Sequence, residues 1–356
     1  MDTEPEDAED IKETTEEARE VREEREIKEK EKEKEGTDNT EDNKEKGDVG
    51  DVENRMKETE PEKRRIDQEL PEILILGPGG AKMIMGLGFL FPLEKNKIFS
   101  EVKTFVGVSA GALVALLMVC GYTITEIITF ACEVNIFEDI RKFNLANVRD
   151  NMGVVSPDIV REKLSNLIVN KIGYIPTLQE LFMFSNKEFV SIAYNLNTCK
   201  VEQFSYLTQP TASCVEAVLL SINIPGLFCK ITYGGHFYVD GALGNPYPVN
   251  LYDDGKKIIL GIYIDGRRPQ EGDLGHINYF HRSIQAPMDQ LRDFIINKSS
   301  EKCYHVCLKT DILDTTGVSL CSEDKSNMLI YGIKEANKFV DRYFPSKKKK
   351  KVKFQS

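Results

Sequence analysis

Hydrophobic residues are concentrated after Pro71, where they form two similar consecutive units. The first unit, EILILGPGGAKMIMGLGFLFPLEK, has a short branched apolar run, a glycine-rich turn and a longer apolar stretch. The second unit, VKTFVGVSAGALVALLMVCGY, repeats this order. Short β-branched runs favour strands and longer apolar runs favour buried helices. Each unit therefore predicts a strand, a tight turn and a helix.

The rest of the chain alternates between helical and strand patterns. Apolar positions at helical spacing predict helices in ITEIITFACEVN, SPDIVREKLSNLIVNKIG and SNMLIYGIKEANKFVDRYF. A further helix is predicted in SCVEAVLLSINIPGLF, ended by Pro225. Strands are predicted in EFVSIAYNLNTCKVEQFSY, KKIILGIYID and KCYHVCLKT, and a hairpin in KITYGGHFYVDGALGNPYPV. This alternation predicts an α/β fold with a central, mostly parallel sheet flanked by helices.

Charge separates two tails from this core. Residues 1–70 contain 29 acidic and 15 basic side chains and few apolar ones, which predicts a charged, disordered tail or a partner-binding arm. Residues 71–346 are the expected domain. Residues 347–356 form a polybasic tail, which indicates either a nuclear import signal or peripheral contact with an anionic membrane. Its basic residues are Lys347, Lys348, Lys349, Lys350, Lys351 and Lys353.

The composition also limits the compartment and the partners. The chain has a net charge of −11 and starts without an apolar segment, so we expect no signal peptide, a cytoplasmic protein and no binding to nucleic acid. Eight cysteines without paired spacing indicate reduced thiols. A zinc site at Cys303, His305 and Cys307 lacks a nearby fourth ligand, so no metal or other cofactor is predicted.

The pentapeptide GVSAG places Ser109 between Gly107 and Gly111. A nucleophilic serine on a strand-to-helix turn needs small neighbours, because strand and helix approach closely there. The surrounding run, residues 101–123, is apolar enough to raise a membrane span as an alternative. The glycines disfavour this alternative, because they split the run into pieces too short to cross about 30 Å of hydrocarbon.

Two other motifs carry groups that a serine hydrolase needs. GPGGAKM, from Gly77 to Met83, offers the backbone N–H groups of Gly79 and Gly80 as an oxyanion hole, with Lys82 nearby. It lacks the lysine and hydroxyl residue of a phosphate-binding loop. In YVDGALGNPYPV, Asp240 precedes Gly241 and Ala242 and could accept the serine proton. An Asp-Gly pair is otherwise common in hairpin turns.

Taken together, GPGGAK, GVSAG and DGA in this order resemble the patatin-like phospholipase family. IPTLQELF, LLSINIPGLF and NPYPV add to the resemblance, which extends over about residues 71–340. It implies a patatin-like fold with Ser109 as nucleophile on its elbow and Asp240 as base. It also implies Gly79 and Gly80 as oxyanion donors, with Lys82 in the basic position of the loop.

The chain departs from the family pattern at two positions in the glycine-rich loop. Pro78 replaces the first glycine of the triplet, and Met83 replaces the glycine after the basic residue. Proline has no N–H, but the donors that the resemblance implies are the next two glycines. A glycine at position 83 would matter if that position needed a positive φ or close packing.

These observations lead to the hypothesis of a metal-independent lipid acyl hydrolase. It would cleave fatty acyl esters of phospholipids or related glycerolipids through a serine–aspartate dyad, and apolar residues of MIMGLGFLF and LLMV could line an acyl channel. One alternative is a catalytically inactive patatin-fold protein that binds lipid or acts as a scaffold. A second is a histidine-dependent esterase that uses His276, His281 or His305. His236, four residues before Asp240, is a further candidate.

Overall fold

The computed structural model describes residues 69–133, 152–266, 276–311 and 320–345. The predictions for the acidic tail and the lysine run concern residues outside these ranges, except that Glu69 and Leu70 are described. The strands are β1 Ile73–Leu76, β2 Thr104–Val108, β3 Gly153–Val155, β4 Glu188–Asn195, β5 Lys200–Phe204, β6 Gly226–Phe228, β7 Ile231–Tyr233, β8 His236–Asp240, β9 Ile259–Gly266 and β10 Cys303–Thr310. The helices are α1 Met83–Lys95, α2 Ala110–Val119, α3 Ile124–Glu133, α4 Asp158–Ile172, α5 Leu178–Ser185, α6 Cys214–Ser221, α7 His276–Lys298 and α8 Ser322–Tyr343.

The main sheet has the strand order β10-β9-β1-β2-β4-β8-β7, and β5 also pairs with β4. The five strands from β10 to β4 are parallel to one another, and β5, β7 and β8 pair in antiparallel fashion. The α/β architecture with a mostly parallel sheet is therefore confirmed. β3 and β6 form a separate parallel pair.

Side chains of the central strands alternate between two cores. Leu74, Leu76 and Phe105 pack into the larger core with helices α1, α2 and α6. Ile73 and Ile75 point to the opposite core, which the inner face of α7 helps to cover. A sheet with helices on both faces needs apolar residues at successive strand positions, which is why these strands are continuous apolar runs.

Two features of the helices differ from the sequence predictions. Helix α6 ends at Ser221, four residues before Pro225, because the chain turns at residues 222–225 to hydrogen-bond with β8. Helix α7 was not predicted, although Met288, Leu291 and Ile295 have helical spacing and face the core. Pro287 lies inside this helix and interrupts the sequence signal.

No helix among the described residues combines the length and the apolar character needed to cross a bilayer. The run at residues 101–123 is instead divided between β2 and α2, and most of its apolar side chains belong to the larger core.

Candidate active site

β2 and β8 run toward each other along the same edge of β4. Both pair with β4 on the edge opposite to β5. β2 ends where Val108 pairs with Ile192, and β8 ends at the next position, where Asp240 pairs with Ala193. The chain leaves both strands at this point, which brings Ser109 and Asp240 together although 131 positions separate them.

Ser109 occupies a strained turn between β2 and α2. Its φ is 56° and its ψ is −128°, a conformation that costs a non-glycine residue about 1–3 kcal/mol. The flanking glycines allow the turn, since a Cβ on Gly107 would lie 2.2 Å from the Cα of Ala112. A Cβ on Gly111 would lie 2.3 Å from the carbonyl oxygen of Leu76. Strand and helix are therefore in backbone contact around this serine.

Asp240 is 3% exposed and ends β8 at a tight turn. Its Oδ1 accepts the N–H of Ala242 at 2.9 Å. Its carboxyl group lines the same cavity as Ser109, whose side chain is close enough to affect the pKa of Asp240. Burial raises the pKa of Asp240 from 3.8 to about 6, although the Ser109 side chain and the Ala242 N–H act to lower it. Gly241 is needed at the next position, because a Cβ there would lie 2.1 Å from the carbonyl oxygen of Ile192.

The glycine-rich loop between β1 and α1 lies beside this pair. Gly80 has a φ of 52°, which favours glycine, and a Cβ on Gly79 would lie 2.6 Å from the Cδ1 of Ile264. Lys82 is 4% exposed and lines the same cavity as Ser109 and Asp240. Among the hydrogen bonds of the described residues, none uses the backbone N–H of Gly79 or Gly80. These two donors are available to a ligand.

Pro78 and Met83, the two departures from the family pattern, are both accommodated in the loop. Met83 is the first residue of α1 and has a φ of −60°, which any L-amino acid adopts. Its side chain is buried and lines a cavity. Pro78 lines the cavity that contains Ser109 and Asp240. A positive φ at position 83 is therefore not a requirement of this loop.

Two cavities meet at Ser109. The first has a volume of about 140 Å³ and also contains Asp240 and the loop residues Gly79 and Lys82. We call it the polar cavity after its charged residues, although much of its wall is apolar. The second, the apolar cavity, has a volume of about 150 Å³. Gly80, Ser109 and Ile224 line both cavities. A substrate with its reacting bond at Ser109 could place chemically different parts on the two sides.

The wall of the apolar cavity is almost entirely hydrophobic. The expected acyl-channel residues contribute in part, since Met83, Ile84 and Leu87 line the cavity, whereas Leu117 and Met118 pack into the core. Other lining residues come from α2, α3, α4 and the segment after α6: Leu113, Val114, Ile127, Phe130, Ala131, Val160, Ile222, Leu227 and Phe228. Lys325 of α8 is the charged residue among those that line it.

The wall of the polar cavity contains an ion-pair network from the helix that the sequence did not predict. Arg292 on α7 is 7% exposed, and its guanidinium group contacts Asp289 at 3.0 Å, Asp293 at 3.0 Å and Asp265 at 3.3 Å. Arg282 also contacts Asp289, at 2.7 Å. The amphipathic spacing of residues 284–295 could have predicted this helix. It could not have predicted which charged side chains pair.

The histidines and the cysteine cluster lie away from the two cavities where their side chains are described. His236 Nδ1 lies 3.3 Å from Asn195 Nδ2, and His305 Nδ1 lies 2.9 Å from the hydroxyl oxygen of Tyr247. The side chains of His276 and His281 are outside the described residues. Within the described part of the chain, no group of three or more histidine, cysteine or acidic side chains could hold a metal ion.

Sequence reasoning missed two polar residues at the end of α6. The Ser221 Oγ accepts the backbone N–H of Ser109 at 2.9 Å. The carbonyl oxygen of Asn223 accepts the backbone N–H of Asp240, also at 2.9 Å. Both residues lie within LLSINIPGLF, which contributed to the family resemblance, but nothing in that pattern indicates these contacts.

Comparisons with known proteins support the family that the three motifs suggest. The family model described as patatin-like phospholipase matches residues 74–252. A probable lipid hydrolase of Invertebrate iridescent virus 6 is 29% identical over 184 residues, which are 50% of this chain and 62% of the viral protein. An uncharacterised protein of Acanthamoeba polyphaga mimivirus is 27% identical over 74% of this chain and 88% of its own length. This chain thus spans less than two thirds of the first relative.

Solved structures of low sequence identity were also found. VipD from Legionella pneumophila has a TM-score of 0.48 and 16% identity, with 77% of this chain and 67% of VipD aligned. The ExoU–SpcU complex from Pseudomonas aeruginosa has a TM-score of 0.45 and 15% identity, with 78% of this chain and 53% of the matched chain aligned. The assignment rests on the family model, which matches half of the sequence: this chain belongs to the patatin-like phospholipase family.

Proposed function

We propose that this protein is a lipid acyl hydrolase that cleaves fatty acyl esters of phospholipids or related glycerolipids. The observation that carries the proposal is that Ser109 and buried Asp240 line one cavity, at the point where this polar cavity and the apolar cavity meet. Membership of the patatin-like phospholipase family and the similarity to a probable viral lipid hydrolase support the substrate class.

In the proposed reaction, the Ser109 hydroxyl attacks the ester carbonyl while Asp240 accepts its proton. The N–H groups of Gly79 and Gly80 stabilise the oxyanion. Asp240 then protonates the leaving alcohol as the tetrahedral intermediate collapses to an acyl-enzyme on Ser109. In the second half, Asp240 accepts a proton from water, the hydroxide attacks the acyl carbonyl, and Ser109 is reprotonated as the fatty acid leaves.

The two cavities give this reaction a consistent substrate orientation. The fatty acyl chain would occupy the apolar cavity, because burial of each CH₂ group contributes about 0.8 kcal/mol. The glycerol and head group would occupy the polar cavity beside Lys82 and the Asp289–Arg292 pair. This orientation places the ester carbonyl at Ser109, which lines both cavities.

The first test is fatty acid release from mixed phospholipid vesicles in the presence of EDTA. Because residues of the chain supply every role in the proposed steps, we expect release to be unchanged within about twofold when EDTA replaces added Ca²⁺. Release would be measured by mass spectrometry across head groups and neutral glycerolipids. Vesicle binding without release from any of these lipids would contradict the proposal and favour an inactive lipid-binding protein.

We also propose that the lysine run at residues 347–353 attracts the protein to anionic membranes. Each lysine near an anionic lipid surface contributes about 1 kcal/mol, and this attraction weakens with salt. The vesicle assay tests this directly if anionic lipid is omitted in a parallel set. Equal binding and release with and without anionic lipid, at low salt, would contradict the attraction.

The buried carboxyl group leads to a prediction for the pH dependence. Asp240 must be ionised to act as a base, and its pKa is raised to about 6. We therefore expect kcat/KM to fall about tenfold per pH unit well below pH 6 and to level off above about pH 7. An acidic limb near pH 4 would contradict the raised pKa of Asp240.

A further inference from the structure

The end of α6 and the turn after it, residues 221–224, connect the two members of the proposed dyad. Its first residue, Ser221, is fully buried at the end of the helix. Asn223 is 3% exposed, and its two neighbours, Ile222 and Ile224, line the apolar cavity. One short segment therefore contacts Ser109 and β8 and forms part of the cavity wall.

Ser221 holds the backbone of the nucleophile. Its Oγ accepts the N–H of Ser109 at 2.9 Å, and this N–H belongs to the peptide group that precedes the strained residue. A positive φ at a non-glycine residue persists only when surrounding contacts stabilise it. Because the Ser221 contact fixes that peptide plane, it also fixes the direction in which the Ser109 side chain points.

Asn223 holds the end of β8 in the same way. Its carbonyl oxygen accepts the N–H of Asp240 at 2.9 Å, and its side-chain Nδ2 donates to the carbonyl oxygen of Tyr238 at 2.7 Å. The two contacts flank Val239 and fix the strand immediately before the carboxylate. The Nδ2 contact ties the strand to this turn, because a buried amide donor is costly to leave unpaired.

From these contacts we propose that Ser221 and Asn223 are positioning residues, which together fix the backbones of Ser109 and Asp240 relative to each other. This inference rests on the proposed dyad. Neither residue lines the polar cavity, so neither contacts the reacting atoms directly. Their effect on the reaction comes through the geometry of the serine and the aspartate.

The test compares Ser221→Ala with a matched control, Ser191→Ala. Both serines are fully buried, and Ser191 also contacts α6, donating its hydroxyl to the carbonyl oxygen of Ala217 at 2.7 Å. We expect Ser221→Ala to lower kcat about 10- to 100-fold with KM changed less than about threefold, because small misplacements of reacting groups have effects of this size. Ser191→Ala should leave kcat within about threefold of the wild type. It should lower the melting temperature by about as much as Ser221→Ala does.

The pH profile separates positioning from general destabilisation. The Ser109 side chain lowers the pKa of Asp240. Displacement of Ser109 in Ser221→Ala weakens this effect, so the acidic limb of kcat/KM should move to higher pH. The limb should not move in Ser191→Ala. Asn223→Ala, which loses the side-chain bond to Tyr238, should shift the limb in the same direction, and it carries the test if Ser221→Ala does not fold.

The outcomes distinguish this inference from the proposed function. An active wild type whose Ser221→Ala and Asn223→Ala variants keep kcat and the acidic limb would overturn the positioning role alone. The positioning role is also overturned if Ser191→Ala changes kcat and the acidic limb as much as Ser221→Ala does. A wild type that neither releases fatty acid nor reacts at Ser109 with a fluorophosphonate probe would overturn the proposed function, and the inference with it.

Discussion

Ser109→Ala and Asp240→Asn are each expected to lower fatty acid release by about a thousandfold or more. The first change removes the nucleophile, and the second keeps the shape of the side chain but removes the base. Because the two groups act as a unit, the double variant should be little worse than either single variant. The measurement is the initial rate of fatty acid release from phospholipid vesicles, together with fluorophosphonate labelling of the peptide that contains Ser109.

Matched controls make this result specific. Ser191→Ala removes the hydroxyl of a different buried serine, on β4, and Asp254→Asn changes an exposed carboxylate. Both variants should retain nearly full activity. The alternative of a histidine-dependent esterase makes the opposite prediction. In that case Asp240→Asn would remain active, and replacement of His276, His281 or His305 would abolish turnover of small soluble esters.

Gly107→Ala is expected to lower the free energy of unfolding by about 3 kcal/mol or more and to abolish fatty acid release. A Cβ at this position would lie 2.2 Å from the Cα and 2.4 Å from the N of Ala112, both of which are backbone atoms. Helix α2 must therefore move away from β2, which disrupts the turn at Ser109. Changes of this size arise when the core is overpacked. Urea unfolding followed by circular dichroism measures the effect.

Gly86→Ala provides the control for added volume. The nearest atom to a Cβ on Gly86 is the flexible Sδ of Met83, at 2.6 Å, and alanine is favoured over glycine inside a helix. We expect its free energy of unfolding to change by less than about 1 kcal/mol. If Gly107→Ala unfolded at the same urea concentration as this control, the close approach of strand and helix at residue 107 would not be required for folding.

The sequence predicted the elements around the site because their signals are local. The branched run before Gly77 and the apolar run after Lys82 were enough to predict β1 and α1, and the same holds for β2 and α2 around Ser109. Side-chain periodicity and glycine turns depend on neighbours within a few residues. The order of the three motifs was likewise sufficient to suggest the family, which the family model confirms over residues 74–252.

Other features of the helices were decided by contacts between distant residues. Helix α6 ends at Ser221 rather than at Pro225, because the following turn bonds to β8. Helix α7 provides Asp289 and Arg292 to the polar cavity, and its proline obscured the helical pattern. At position 83, only the backbone φ of −60° shows that methionine can replace glycine there without strain.

The sequence by itself determined the candidate chemistry, since it contains a serine between glycines, an aspartate before a glycine and a glycine-rich loop in the family order. Only the tertiary structure decided that Ser109 and Asp240 meet, because β2 and β8 converge on one edge of β4, at Ile192 and Ala193. Sheet order and register arise from pairing between distant segments, which local periodicity does not encode. The same pairing sets the burial that raises the pKa of Asp240 and places two cavities at Ser109.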